Sequence, residues 1–375
     1  MYSDADHALM SRALELARHG LYTTTPNPRV GCVIVRDNAV VGEGWHRRTG
    51  EPHAEILALA EAGDRARGAT VYVTLEPCSH QGRTPPCTDL LIESRVARVI
   101  AAMEDPNPLV NGQGLERLRA AGIDVRCGLM AQEAQALNVG FIARMTRGRP
   151  WLRLKVAATL DGVTALPDGR SQWITSEEAR NDGHRWRARA CALLTGIGTV
   201  KADNPRLTVR AVATARQPDK VLIDSRLEVN PAAELFRDSG ALVIHALAEE
   251  AVGAERRERL RDAGCELLSL PNEHGKVDLF AAMQELGRRE YNEVHVEAGA
   301  RLNGSLVAAG CVDEVLAYVA PALLGRGLPG FDMPVVDDLQ RRVRLRWLDV
   351  DRTGEDLRLR AAVLPAEGVR VVDRP

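Results

Sequence analysis

Apolar side chains recur at helical spacing over residues 5–19, and the run stops at His19-Gly20, which predicts one helix. GCVIVRDNAVVGEGW at 31–45 changes period and predicts two strands about a turn at Asp37-Asn38. Helical and extended patterns then alternate: helix over 53–65, strand over 70–75, helix over 86–94 with Pro86 near its first turn, strand over 98–103. GLERLRAAG and GIDVRCGL add a helix and a strand, and a further helix is predicted over 131–145. TRGRP at 146–150 breaks the rhythm and sets the expected domain boundary, 1–146 against 147–375. Beyond it WLRLKVAATL, 191–195, 220–224, ALVIHA, CELLSL and EVHVEAG read as strands, with helices over 176–189, 251–263 and 278–288. DEVLAYVAPALLG, RVRLRWLDVDR and DLRLRAAVL suggest antiparallel strands at the end. Such alternation argues for a sheet covered by helices, an α/β sandwich, in the first part. A parallel core with a late antiparallel pair makes a second α/β domain the expectation, and a closed α/β barrel the alternative.

A chain of 375 residues exceeds one ordinary core, in keeping with two domains. A formal charge of -2 gives no general reason to expect nucleic acid or an anionic membrane as partner. The opening MYSDADHALMSRALELARHG carries early acids and no long apolar run, so neither a secretion signal nor a membrane span is expected, and the expected compartment is the cytoplasm. Seven cysteines, an odd number, are scattered along the chain and do not form the framework of an oxidised secreted domain. Cys32, Cys127 and Cys191 stand among apolar residues and read as buried thiols.

LEPCSHQGRTPPC at 75–87 carries the first candidate chemistry. Cys78 and Cys87 are separated by eight residues, which excludes a Cys-x-x-Cys redox pair. His53, just before a helical run, supplies an imidazole, and two thiolates with one imidazole suit zinc and leave a fourth position for water. Glu55, two residues on, is placed to take the water's proton, pass it to a ring nitrogen and help an amine leave, which is hydrolytic deamination. A structural zinc would need a fourth protein ligand, for which His80 is the only nearby candidate. The inserted SHQGRTPP forms a loop beside the metal, where His80 and Arg83 can offer donors to a substrate ring or phosphate, a surface role competing for Arg83. Asn27 precedes the first strand and can meet sugar hydroxyls or a heterocycle edge; His46 does similar work or caps the turn after Gly44.

TPNPRVG, GEGWHRRTGEPHAE, YVTLEPCSHQGRTPPC and AAMEDPNPLVNGQGLERLRAAGIDV together resemble the deaminase half of the bifunctional riboflavin-biosynthesis deaminase–reductases. LKVAATLDG, DGRSQWITS, LLTGIGTVKADNPRLTVR, VLIDS and VEAGARLNGSLVAAGCVDE resemble the reductase half, with Thr159 where serine is frequent. The resemblance implies a cytidine-deaminase-like α/β/α sandwich followed by a dihydrofolate-reductase-like α/β domain. It implies zinc on His53, Cys78 and Cys87, with Glu55 shuttling protons. The implied first substrate is 2,5-diamino-6-(5-phosphoribosylamino)pyrimidin-4(3H)-one, and the ribosyl group of the deaminated product is then reduced to ribityl with NADPH.

No Gly-x-Gly-x-x-Gly follows a strand: GIGTVK at 196–201 and GEGWHR both lack the third glycine, so a doubly wound cofactor domain is disfavoured. The reductase residues therefore come from the resemblance alone. It places Lys155 and Glu297 near the reacting carbon, with Ser171, Arg187, Leu207 and Arg210 on the substrate and the two arginines as phosphate clamps. Arg187 lies in the basic run HRWRARA, which also reads as a solvated helix face. Ala157, Trp173, Thr199, Asp203, Ser225 and the run Gly299, Ala300, Arg301, Leu302, Asn303 and Gly304 are implied on the cofactor. Asp203 competes with a purely turn-forming role in Asp-Asn-Pro. Two separate pockets and a homodimer are expected. The rival readings are a deaminase of RNA or free nucleosides, which would want a basic stripe and stacking aromatics, and a zinc-stabilised scaffold.

Overall fold

The computed structural model describes residues 2–79, 86–108, 110–248 and 252–365. They form two compact units, Met1–Gly148 and Arg149–Pro375.

The first unit runs α1 (Asp4–Arg18), β1 (Gly31–Arg36), β2 (Ala39–Trp45), α2 (Ala54–Ala62), β3 (Thr70–Val73), α3 (Cys87–Glu93), β4 (Arg98–Ala101), α4 (Gln113–Ala120), β5 (Asp124–Cys127), α5 (Ala131–Leu137) and α6 (Val139–Arg147). Its sheet has the order β2-β1-β3-β4-β5. β1 is antiparallel to both β2 and β3, whereas β3, β4 and β5 run parallel. The β1–β2 hairpin turns at Asp37 and Asn38, both at positive φ (51° and 62°), as a two-residue turn of matching twist requires. Strand alternation sorts side chains onto two covered faces. Cys32, Ile34, Val71, Val73, Val99 and Ala101 pack with Ala54, Ala58, Leu91, Leu115 and Leu118. Val33, Tyr72 and Ile100 pack on the other side with Met10, Ala13, Leu14, Ala134 and Phe141.

The single helix expected over 131–145 is two helices broken at Asn138, where φ is -115°. The cause is a side-chain bond pair: Arg29 N–H donates to Asn138 Oδ1 (2.8 Å) and Asn138 Nδ2 donates to Arg29 O (3.0 Å).

The second unit runs β6 (Trp151–Thr159), β7 (Val163–Ala165), α7 (Glu177–Arg189), β8 (Ala192–Gly196), α8 (Ile197–Asp203), β9 (Asp219–Ile223), β10 (Leu242–His245), α9 (Ala254–Asp262), β11 (Glu266–Ser269), α10 (Leu279–Arg288), β12 (Glu293–Val296), α11 (Ala300–Ala308), β13 (Glu314–Ala320), β14 (Leu328–Pro329), β15 (Leu345–Thr353) and β16 (Asp356–Val363). The main sheet has the order β11-β10-β9-β8-β12-β6-β13-β16-β15. Every pairing from β11 to β13 is parallel, and β16 and β15 close the series antiparallel. The sheet is open, so the barrel alternative falls. Leu152, Leu154, Val156, Val294 and Val296 line one face in an apolar core with Ala282, Met283 and Leu306.

On the opposite face of β6, β12 and β13 stand charges under α7. Fully buried Arg153 pairs with Glu293 (3.1 Å) and Glu314 (3.0 Å) and lies 4.4 Å from the Trp186 ring centroid. Arg189 and Arg360 complete the pairing of Glu293 and Glu314 (both 2.7 Å), which is what lets such charges remain buried.

Candidate active sites of the two units

In the first unit the glycines of β2 decide where α2 lies. A Cβ at Gly44 would stand 2.3 Å from the Ala54 carbonyl, and one at Gly42 2.2 Å from that of Ala58. Without those side chains α2 packs directly on the strand and brings its N-cap, His53, and its buried first-turn Glu55 to the sheet edge. Cys78 lies in the segment that follows β3, and Cys87 opens α3. One donor atom each from His53, Cys78 and Cys87 lies within 4.8 Å of the others. His53 Nδ1 is 3.3 Å from Cys87 Sγ and 3.6 Å from Cys78 Sγ, close to the roughly 3.5–3.8 Å between donors of a tetrahedral zinc. Two sulfurs and one imidazole are also the donor types zinc prefers, so these residues fit the metal.

The electrostatics agree. Burial pushes the Glu55 carboxyl up to about 7, His53 opposing and Cys78 assisting. The hydrogen bond with Cys87, and then that with His53, pull the Cys78 thiol down to about 4 against burial. Cys87 moves the other way, through its bond to Cys78, burial and Glu55. His46 Nδ1 donates to the Pro52 carbonyl (3.2 Å), so its Nε2 accepts from Asn27 Nδ2 (3.1 Å). Burial keeps this imidazole neutral, and its ring stands edge-on to His53 with centroids 5.4 Å apart. Asn27, His46, His53, Glu55, Cys78 and Cys87 thus converge. His80 and Arg83 lie outside the described residues.

In the second unit β8 and β12 are neighbours whose following connections leave in opposite directions, the place where open α/β sheets form a crevice. Glu297 follows β12, and Arg187 on α7 grips it with Nε and Nη2 at 2.5 and 2.7 Å. Burial alone would raise the Glu297 carboxyl, but the Arg187 guanidinium, with His295 and Lys155, holds it well below the usual range. Burial lowers the Lys155 ammonium, Glu297 opposing and Arg187 assisting. Lys155 Nζ lies 5.9 Å from the Tyr318 ring centroid, and Ala157 packs beside Tyr318. Arg210 joins through the 207–210 stretch: Arg187 Nη1 donates to the Thr208 carbonyl, and Arg210 Nη1 to the Thr208 hydroxyl, both 3.0 Å. Leu207 is buried in the local core at positive φ (48°).

The residues implied on the cofactor spread along the strand ends. Thr199, on α8, faces the backbone of Gly299, the N-cap of α11. Ser225 follows β9, and its hydroxyl accepts from Val277 N–H (3.2 Å). Arg301 is exposed and Leu302 packs on the apolar core, whereas Ala300 O accepts from Asp332 N–H (3.0 Å). Asn303 is buried and donates to the Gly330 carbonyl (2.9 Å), and Gly304 abuts the Asp332 backbone. Asp203 ends α8 in the open. Ser171 is half-buried, and Trp173 is 70% exposed with the Arg180 guanidinium 4.4 Å from its ring centroid.

Several residues escaped sequence reasoning. His184 and Thr208 hold Arg210, and buried Asp182 accepts from Tyr318 OH (2.7 Å) and Trp186 Nε1 (3.3 Å). The one available signal was a carboxylate and an indole four residues apart on one helix face.

Comparison with known proteins agrees with this geometry. Residues 3–103 match the family described as cytidine and deoxycytidylate deaminase zinc-binding region, and residues 150–359 that described as RibD C-terminal domain. Riboflavin biosynthesis protein RibD of Escherichia coli (strain K12) is 46% identical over 365 residues, covering 94% of this chain and 98% of that one. The same-named protein of Aquifex aeolicus (strain VF5) is 41% identical over 95% and 98% of the two chains. The solved structure of Acinetobacter baumannii RibD, form 1, superposes with a TM-score of 0.88 at 40% identity, covering 96% and 99%. A Thermotoga maritima structure described as a diaminohydroxyphosphoribosylaminopyrimidine deaminase/5-amino-6-(5-phosphoribosylamino)uracil reductase gives 0.85 at 33%, with the same coverage. A zinc-type deaminase unit joined to a RibD reductase unit, with relatives alike from end to end, leaves one conclusion: the chain belongs to the RibD family of bifunctional riboflavin-biosynthesis deaminase–reductases.

Proposed function

We propose that residues 1–146 deaminate 2,5-diamino-6-(5-phosphoribosylamino)pyrimidin-4(3H)-one and that residues 147–375 reduce the ribosyl group of the product, 5-amino-6-(5-phosphoribosylamino)uracil, to ribityl with NADPH. The observation that carries the first half is the convergence of one imidazole and two sulfurs beside the buried carboxyl of Glu55. His53, Cys78 and Cys87 hold the zinc. Bound there, the metal supplies a Lewis acid that makes water a nucleophile near neutral pH. Glu55 takes a proton from the attacking water and delivers it to the ring nitrogen beside the amine; it then takes the proton of the newly bonded hydroxyl and passes it to the amine, which leaves as ammonia as the carbonyl forms. Asn27 and the neutral His46 orient the substrate from the far side of His53, and His80 and Arg83 hold it from the inserted loop.

For the second half, Lys155 and Glu297 flank the ribose carbon, with Lys155 donating to the ring oxygen as the sugar opens. Ser171, Leu207, Arg187 and Arg210 seat the phosphoribosyl group, the arginines meeting its phosphate. The cofactor supplies the hydride and the protein orients it. Ala157, Trp173, Thr199, Asp203, Ser225 and Gly299–Gly304 form its seat, with the first turn of α11 toward its phosphates. Besides the proposed ligands Cys78 and Cys87, five unpaired cysteine thiols support a reducing, cytoplasmic setting. Among the described residues no helix is long and apolar enough to cross a membrane. We further infer a homodimer, supported by the exposed apolar edge strand β15, where Trp347 is 61% exposed.

The test assays both partial reactions on two variants. Glu55→Gln should keep zinc yet lose ammonia release by about 10²-fold or more, the range of a lost general base. Lys155→Ala should release ammonia normally and lose substrate-dependent NADPH oxidation. Near-normal deamination by the first, or loss of both reactions in the second, overturns the reading.

A further inference from the structure

Glu76 lies two residues before Cys78, has no part in the proton transfers above, and is 3% exposed. Its carboxylate accepts four backbone N–H groups: those of Asp105 and Gly112 on Oε2 (both 2.9 Å), and those of Gly114 and Leu115 on Oε1 (2.8 and 3.3 Å). The last two belong to the first turn of α4, whose own N-cap, Gly112, has no side chain to offer them. A remote carboxylate therefore caps α4, and charge at a helix N-terminus adds to the bond. Gly114 makes the approach achievable, since a Cβ there would stand 2.1 Å from the Pro77 carbonyl.

The same helix reaches the second cysteine. Arg117, one turn further along α4, pairs through Nη2 with Asp89 Oδ1 (2.6 Å), two residues after Cys87. Its Nη1 donates to the carbonyl of Ser79, the residue after Cys78, over a long 3.4 Å. On α3, Thr88 donates its backbone N–H and its hydroxyl to the Cys78 carbonyl, both at 3.2 Å.

We propose that Glu76 and Arg117 are positioning residues: through them α4 clamps the Cys78 and Cys87 segments at the separation zinc requires. This rests on the assignment of His53, Cys78 and Cys87 as the metal's ligands. Glu76→Gln replaces one acceptor oxygen with an NH₂ group that faces two N–H donors, so the 76–78 segment loses its anchor while its size is kept. Arg117→Met removes the bridge from a half-exposed side chain (48%) and leaves the helix intact.

The experiment follows zinc release from the full-length protein into excess chelator, together with the visible spectrum of the cobalt-substituted protein and thermal unfolding. Glu76→Gln should release zinc at least about tenfold faster than the parent, the scale of lost outer contacts at metal sites, with altered cobalt bands. Arg117→Met should shift release in the same direction with an unchanged unfolding midpoint, a combination that a purely structural role would not produce. Should Glu76→Gln fail to fold, the Arg117→Met result decides alone. A parent that holds zinc while the folded variants release it at the parental rate with the parental cobalt spectrum overturns the clamp. A parent that holds no zinc overturns the ligand assignment, and the clamp with it.

Discussion

At the scale of single residues, Arg187–Glu297 has the clearest acid–base consequence. Glu297 ionises in the folded unit well below the ordinary 4.5, so the unfolded chain binds its proton more tightly than the folded one. The stability contributed by the pair is therefore fully present above about pH 5 and is lost as acidification passes down through the folded value. Glu297→Gln should destabilise the second unit at pH 7 by about 3–5 kcal/mol, because Arg187 is left without its counter-charge. The gap in unfolding midpoint between parent and variant should narrow steadily from pH 5 to pH 3; a constant gap would show that the ion pair does not set it. Such residues differ in how they announce themselves in a sequence. His53, Cys78 and Cys87 are legible because few chemistries use their donor types at that spacing. Glu76, in the same motif, is not, because a carboxylate that accepts from backbone N–H groups has no side-chain partner to search for. Asn303 shows the reverse: its place among the residues implied on the cofactor comes from the resemblance, and only the fold reveals its bond to the Gly330 carbonyl.

At the scale of elements, hydrophobic period carried most of the reading, and it failed where a side chain overrode it. The two helices of 131–147 share one apolar stripe, so nothing in their period shows that Asn138 has turned its amide toward Arg29. Closeness of approach is equally hidden. The glycines at 42 and 44 read as strand residues, yet they set the seat of α2 and hence of His53 and Glu55. Gly44→Ala should push α2 off β2, because the added carbon would meet the Ala54 carbonyl at 2.3 Å. Overpacking of this kind costs about 1–3 kcal/mol, to be read from urea unfolding of the first unit. Zinc affinity should fall in parallel. Unchanged stability and affinity would mean that the strand yields and the helix stays where it is.

At the scale of the whole molecule, the long parallel sheet ends in a strand that leaves one edge open. β15 spans Leu345–Thr353 and pairs only with β16 among the described residues. Leu345, Trp347 and Val350 are 46%, 61% and 54% exposed, an apolar row that a soluble chain normally covers. Asp349 pairs with Arg360 (2.6 Å) and Asp351 with Arg358, while Arg346 and Arg352 on the same strand are exposed. In the proposed homodimer a two-fold axis would present the same strand from each protomer, and antiparallel edges could then continue the ladder. Trp347→Glu places like charges across such an axis and should convert a dimer to a monomer in sedimentation velocity. Because Lys155, Glu297 and Arg187, the residues proposed for the reductase site, lie on β6, just after β12 and on α7 rather than on β15, the monomer should retain substrate-dependent NADPH oxidation. A variant that sediments as the parent does would place the contact on another surface, and a parent that is monomeric would remove the need for one.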